Sequence, residues 1–163
     1  MIGNNEHSIL GENIRTLMNE NNLTLEKLAS AIKYNRRGLS AASLGRQNLQ
    51  LNTLVKIAEY FDLSLYILCD RNFKNPQYRK AFHYVGNVNY IDLIRTNFRN
   101  SKTKQSMVAL DSTTVSHIMN GRRNNITINT IVKFAEAAGV NLSELFITDQ
   151  DRKIKKQLIK EEL

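Results

Sequence analysis

The amino-acid sequence predicts an all-α protein that contains two copies of one helical unit. Apolar residues recur at positions i, i+3, i+4 and i+7, the pattern of a helix with one buried face. One such stripe, Leu54, Ile57, Ala58 and Phe61, returns 77 residues later as Ile131, Phe134, Ala135 and Ala138. Alternation of period two is nearly absent, and there is a single proline. The repeat predicts domains at 1–70 and 90–148, a linker at 71–89 and a tail at 149–163.

The first unit begins with an amphipathic helix marked by Leu10, Ile14, Leu17 and Met18. Thr24 is placed to cap a short helix with a buried face of Leu25, Leu28, Ala29 and Ile32. After a tight turn, Asn35 is placed to cap a second short helix, Arg36 to Leu44. On that helix Leu39 and Ala42 are expected to point inward, and Arg36, Arg37, Ser40, Ala41 and Ser43 outward.

The second unit follows the same order. Its first helix is marked by Ile91, Ile94 and Phe98. Ser101 is placed to cap a helix that runs through Ala109. Either Asp111 or Ser112 then starts a helix that reaches Asn120, with Val115 and Ile118 inward. Near the end of the unit, Asn141 and Glu144 resemble a capping box.

The outer faces of the two middle helices carry the residues that indicate a function. They are short, hydroxylated and basic, and such a helix fits the DNA major groove, where Arg and His reach base edges. We expect DNA contacts from Asn35, Arg36, Arg37, Ser40, Arg46, Ser112, Thr113, Thr114, Ser116, His117, Arg122 and Arg123. The alternatives are solvated charge for Arg36 and Arg37, capping alone for residues 112–114, an idle surface role for His117, and helix-dipole complementation for the last two arginines.

Four stretches of the first unit form an ordered set: Thr24-Leu25-Glu26-Lys27-Leu28-Ala29, Lys33-Tyr34-Asn35, Gly38-Leu39-Ser40-Ala41-Ala42-Ser43-Leu44-Gly45 and Thr53-Leu54-Val55-Lys56-Ile57-Ala58. The set resembles the XRE family, the lambda-repressor/Cro-like regulators, without a gap over residues 9–69. Residues 90–147 are similar to the same domain, best at 114–121 and 130–135. The resemblance implies two tandem lambda-repressor-like helix-turn-helix domains, and it puts Arg122 and Arg123 in a loop that meets phosphates in this family.

The sequence departs from the family pattern at several positions. Leu25 replaces a phosphate-gripping glutamine, Lys33 replaces the turn glycine, and Ser43 replaces a glutamate. Gly38 lies inside the first recognition helix, where it costs ~1 kcal/mol relative to Ala. The second unit is about three residues short before Leu110 and has one residue added after its glycine at 121. Of the two units, the second has the more convincing recognition face and the positive charge, so it is favoured as the reader of DNA.

Charge supports a polyanionic partner. The 163 residues include 23 Lys and Arg against 15 Asp and Glu, a formal net charge of +8 at pH 7. Residues 1–70 are neutral overall, whereas 71–89 carry +4 and 90–148 carry +3. The basic excess therefore lies in the middle and second half, where a phosphate-facing surface is expected.

Several classes of protein are not supported. One cysteine, Cys69, excludes a disulfide framework and is expected to be a buried hydrophobe. No apolar run reaches the ~18–20 residues of a membrane helix, and no secretory signal opens the chain. The three histidines lack metal-ligand spacing, and no phosphate loop or nucleophile triad is present. We expect no enzyme, no cofactor and no metal, and a cytoplasmic location.

The linker and the tail each carry apolar residues that should pack. The linker holds Phe73, Tyr78, Phe82 and Tyr84, so we expect a packed segment with a short helix around residues 76–85. Arg79 and Lys80 in it either lie along DNA or pack between the domains, and packing is favoured. The tail shows Ile154, Leu158 and Ile159 among charges, and this stripe can cover its own domain or a second chain.

The predicted function is a sequence-specific DNA-binding transcriptional regulator, with repression favoured by analogy. Its partners would be double-stranded DNA and a second copy in a homodimer. The alternative is a protein-binding regulator, such as an antitoxin, an antirepressor or a nuclease-system inhibitor, that holds its partner through domain 1. In a mixed case, domain 2 reads DNA and domain 1 dimerises or senses a partner.

Overall fold

A computed structural model describes residues 2–162, with side chains from residue 6 to residue 161, and this range is all-helical as predicted. The first half contains α1 (Ile2–Glu20), α2 (Leu25–Ile32), α3 (Arg36–Ser43), α4 (Leu51–Tyr60) and α5 (Leu65–Leu68). A connecting segment contains a 3₁₀ turn, Arg71–Lys74, and α6 (Pro76–Lys80). The second half contains α7 (Tyr90–Asn100), α8 (Ser112–Met119), α9 (Ile128–Ala138) and α10 (Leu142–Leu145), and α11 (Asp149–Glu162) follows.

Side-chain caps begin the short helices that the sequence places in the middle of each half. Thr24 caps α2 and Asn35 caps α3, each by accepting a hydrogen bond from the N–H three residues later, at 3.2 and 2.6 Å. Of the two candidates for α8, Asp111 is the cap, and its Oδ1 accepts from the Thr114 N–H at 2.9 Å. Inward Leu39 is fully buried, as predicted. These local predictions are confirmed.

The predicted helix at residues 101–109 is wrong. The chain forms only a 3₁₀ turn, Gln105–Met107, between α7 and α8. The physical reason is that the segment between α7 and α8 is too short for a further helix. Asn97 lies 14 positions before the cap of α8, whereas Asn13 lies 22 positions before the cap of α3. These two asparagines make matching hydrogen bonds in their halves. The second half is thus eight residues shorter here, the length of α2, and not three. Ser101 instead ends α7.

Three other predictions need correction. Ser43, expected to point outward, is buried, and its hydroxyl donates to a carbonyl of its own helix at 2.7 Å. Asn141 makes no side-chain cap, because Glu6 from α1 is placed to accept from the first N–H of α10, that of Leu142, at 3.5 Å. The connecting helix expected at 76–85 ends at Lys80, after five residues.

One hydrophobic core extends through both halves and the segment between them. Phe73 and Phe82 of that segment are fully buried, so the aromatic linker packs as predicted. Arg79 is buried as well: its guanidinium lies 4.6 Å from the centre of the Phe73 ring and donates to Glu20 at 2.6 Å. Arg79 therefore packs against α1 and its own segment, while Lys80 is exposed, and the packing of this pair between the domains stays a prediction. Cys69 is also buried, and burial raises the pKa of its thiol.

The tail forms a helix that covers its own chain. Ile154 and Leu158 pack against the core, and the Lys155 ammonium lies 5.6 Å from the centre of the Tyr66 ring. Arg152 donates to the Asn97 side chain at 3.1 Å. Two of the three residues of the predicted apolar stripe thus pack on their own chain, whereas Ile159 is 51% exposed. Among the described residues, no helix is long and apolar enough to cross a membrane.

Candidate nucleic-acid interface

The N-terminal end of α3 presents two exposed arginines. Arg36 forms an ion pair with Glu26 on α2, with 2.6 Å between Nε and Oε1, and both side chains are more than half exposed. The Glu26 pKa is lowered by its own backbone N–H and then by the Arg36 charge. Arg37 is exposed, and no partner for its side chain is found among the described residues. A surface pair of this kind contributes little stability, so a phosphate can compete for Arg36.

The rest of the α3 face is smaller and partly covered. Ser40 is half-buried, and Arg46 is exposed just after the helix. Gly38 is buried under Tyr34, and an added Cβ would lie 2.8 Å from the Tyr34 ring. The Tyr34 hydroxyl in turn accepts from Gln47 at 3.1 Å. Gly38 therefore has a packing reason that sequence reasoning missed, and Tyr34 ties the start of α3 to the loop that follows it.

The α8 face carries hydroxyls and one histidine. Ser112, Thr113 and Ser116 are exposed and His117 is half-buried. Thr114 differs from its neighbours, since its hydroxyl donates to Asp111 at 2.6 Å. This bond and the one from the Thr114 N–H lower the pKa of Asp111. Thr114 therefore takes part in the cap of α8. The hydroxyls of Ser112, Thr113 and Ser116 are exposed and can approach a DNA groove.

The loop after α8 has a hydrogen-bonded backbone and leaves two cationic side chains in solvent. Gly121 has φ 87°, a left-handed conformation that favours glycine. The backbone N–H groups of Arg122 and Arg123 both donate to the His117 carbonyl, at 2.9 and 3.1 Å. Both arginine side chains are exposed. A hydrogen-bonded loop with two outward guanidinium groups is suited to contact phosphates.

Arg95 supports this loop from below, and sequence reasoning missed it. Its side chain is only 6% exposed on α7, and it donates to the carbonyls of Ile118 and Arg123 and to the Asp92 carboxylate. The signal was an arginine on the apolar side of a helix, next to Ile94. Cations at a helix C-terminus are favourable, so Arg95 fixes both the end of α8 and the start of the basic loop.

In the first half, a glycine of the long helix lies against the end of the middle helix. Gly11 lies where α1 crosses the end of α3, and an added Cβ would be 2.7 Å from the Ala42 carbonyl oxygen. Arg15 donates to the last carbonyl of α3, that of Ser43, and in the second half Arg99 donates to that of Met119 at 2.9 Å. Each middle helix is thus anchored at its C-terminus by an arginine of the preceding long helix.

The structure places the twelve candidate residues on two surfaces. The α3 surface consists of Asn35, Arg36, Arg37, Ser40 and Arg46, and the α8 surface consists of Ser112, Thr113, Thr114, Ser116, His117, Arg122 and Arg123. All twelve are exposed or half-buried. Among the described residues, no group of three or more His, Cys, Asp or Glu side chains is arranged to hold a metal ion.

Residues 14–68 match the helix-turn-helix family HTH_3. The matched stretch begins within α1, ends with α5, and contains α2, the turn and α3. It supports a DNA-binding helix-turn-helix regulator of the XRE type. The match stops before the second half. Comparisons with curated proteins and with solved structures found no match.

Proposed function

We propose that this protein is a sequence-specific transcriptional repressor that reads DNA with both α3 and α8. The observation that carries the proposal is the α3 surface: it lies within the matched helix-turn-helix domain and presents Arg36, Arg37 and Arg46 to solvent. The second half adds the α8 surface, with a backbone held by Arg95 and two exposed arginines in its loop. Repression follows when a bound chain occludes a promoter.

The candidate residues of the two surfaces contribute to binding in two ways, by phosphate contacts and by base contacts. Arg36, Arg122 and Arg123 neutralise phosphates and release counterions, which sets the salt dependence of affinity. Arg37 of the α3 surface approaches base edges. Thr113 and the neighbouring hydroxyls, with His117, approach base edges in the major groove. This division predicts that the phosphate contacts act on every sequence and that the base contacts act on the cognate site alone.

The test is binding of the purified chain to its own promoter DNA and to random DNA across a salt series. We expect a preference of about 10³-fold or more for the promoter and a steep loss of affinity with salt. Weak binding that ignores sequence would contradict the proposal. A promoter reporter with and without the protein then tests repression against activation.

A protein-binding regulator is the second candidate, and one observation favours it. Leu44, at the end of α3, is 52% exposed, and domain 1 has no net charge. An apolar residue beside a recognition helix suits a protein partner better than a phosphate surface. Leu44→Ser distinguishes the two functions, because it should leave DNA affinity unchanged and weaken capture of a protein partner. We propose no catalytic role, and we propose the cytoplasm as the location of the protein.

A further inference from the structure

The two halves of the chain contact each other through a pair of reciprocal backbone hydrogen bonds, in which each half donates once and accepts once. The Leu51 N–H donates to the Ile126 carbonyl, and the Ile128 N–H donates to the Leu49 carbonyl, each at 2.8 Å. Between these bonds Gln50 pairs with Thr127 as an isolated antiparallel bridge. Gln50 and Thr127 are separated by the same 77 positions as the two apolar stripes, and so are the corresponding residues of the two bonds, Leu51 with Ile128 and Leu49 with Ile126. The two bonds are therefore reciprocal and Gln50 pairs with its own equivalent, which is the signature of a two-fold axis.

A second pair of bonds obeys the same axis. The Asn52 N–H donates to the Asn125 side chain at 3.1 Å, and the Asn129 N–H donates to the Asn48 side chain at 2.9 Å. The corresponding residues of these two bonds again differ by 77 positions, since Asn52 corresponds to Asn129 and Asn48 to Asn125. Four reciprocal hydrogen bonds thus join the loops that follow α3 and α8. We call this contact the seam, defined as residues 48–52 and 125–129.

The two halves also share an internal lock. The Asn13 side chain donates to the carbonyls of Leu68 and Asp70, at 2.8 and 3.2 Å. The Asn97 side chain donates to those of Leu145 and Ile147, at 2.8 and 3.0 Å. Each lock joins the first helix of a half to the end of its last short helix. Those short helices, α5 and α10, also pack against each other.

We infer that one chain is a covalent two-fold pair of readers, and that it binds one duplex DNA site containing two half-sites without a second copy. The seam takes the place of a homodimer contact, so the second copy predicted from the sequence is unnecessary. The inference rests on the proposed function, since it assumes that α3 and α8 both enter DNA. It adds the stoichiometry and the form of the site.

The spacing of the two readers is compatible with such a site. Ser43 ends α3 seven residues before Gln50, and Met119 ends α8 eight residues before Thr127. Fully extended segments of these lengths would separate the two helix ends by at most about 60 Å. The loops turn at Gly45 and Gly121, which shortens them. Half-sites one helical turn apart need about 34–36 Å, which lies within this bound.

The two half-sites must have different sequences. The caps Asn35 and Asp111 stand 76 positions apart and put the outer faces of α3 and α8 in register. In that register Arg37 corresponds to Thr113, and of the outward positions only Ser40 keeps its residue type, as Ser116. Different side chains read different bases. The ligand is therefore a duplex with two unequal half-sites around an imperfect two-fold centre.

The first measurement is the stoichiometry of the full chain on the footprinted promoter duplex, by native mass spectrometry and sedimentation velocity. We expect one chain per duplex with both half-sites protected. Two chains per duplex, or one chain that protects a single half-site, would overturn the inference while leaving the proposed function intact. Failure to bind the promoter in the salt series would overturn both.

Two variants separate a single-chain pair from a homodimer. In a single chain, Arg37→Ala weakens protection of one half-site and Thr113→Ala that of the other, each by about 5- to 150-fold. In a homodimer, each variant weakens both halves alike. Both residues are exposed, so the folded state should persist, and circular dichroism checks this. Equal effects on both halves, or no effect from either variant, would contradict the assignment.

Discussion

The basic loop after α8 yields the sharpest prediction. Replacing Arg122 and Arg123 by alanine removes two exposed guanidinium groups and leaves their backbone hydrogen bonds to the His117 carbonyl in place. Each lost phosphate contact lowers the slope of log K against log salt by about 0.9, so the double variant should lose about 1.8 from the slope. Between about 50 and 200 mM salt, the wild-type affinity should therefore fall about 12-fold further than that of the variant.

Fluorescence anisotropy on promoter and random duplexes measures both slopes. The matched control is Lys153→Ala with Lys156→Ala, which removes the same charge from exposed positions on α11. The control should change affinity slightly and leave the slope nearly intact. An unchanged slope in the loop variant would refute the phosphate role, as would a loss confined to the promoter.

The remaining predictions concern the hydrogen bonds of Asn97, the buried carboxylate of Glu6, and the base contacts expected of the α8 surface. Asn97→Ala leaves two buried carbonyls unpaired and should lower the free energy of unfolding by about 1–3 kcal/mol, measured with urea. Burial raises the pKa of Glu6, so the wild type loses stability as the pH rises from 4.5 through that raised value. Glu6→Gln should therefore gain stability relative to the wild type over the same window. Thr113→Ala with His117→Ala should cost ~1–3 kcal/mol of binding on the promoter and little on random DNA.

The first two of these predictions have a matched control variant. Asn100→Ala, at an exposed position of α7, should change unfolding by less than about 0.5 kcal/mol, and an equal loss in both asparagine variants would contradict the lock. Glu12→Gln removes a carboxyl whose pKa is lowered by Lys74, so it should lose stability relative to the wild type as the pH rises through that lowered value to 4.5 and show no trend above 4.5. A flat Glu6→Gln profile would remove Glu6 from the pH dependence.

Local patterns predicted the helices well because helix signals act within a few residues. Thr24 and Asn35 form their hydrogen bonds only three residues away, so the sequence contains both partners. The same reasoning placed Asp111 or Ser112 at the start of α8. It was wrong at residues 101–109, because propensity does not show that this segment is too short to form both a turn and a helix.

The sequence predicted the surface residues of the candidate site, but it did not predict the residues that hold the two middle helices in position. All twelve candidates are exposed or half-buried, yet their contact with DNA remains a prediction. Arg95 holds carbonyls 23 and 28 residues away, and Gly11 allows α1 to approach the end of α3. Neither role follows from neighbouring sequence, since each depends on how two distant helices cross.

The sequence by itself determined that the chain is all-helical and where most helices start, and it predicted that one unit is repeated 77 residues later. These features follow from apolar spacing and capping residues, which are short-range. Tertiary structure alone decided that Gln50 pairs with Thr127, and that Glu6 lies at the start of α10 in place of a local cap. Backbone pairing between distant loops depends on no particular side chain, so it leaves no pattern in the sequence.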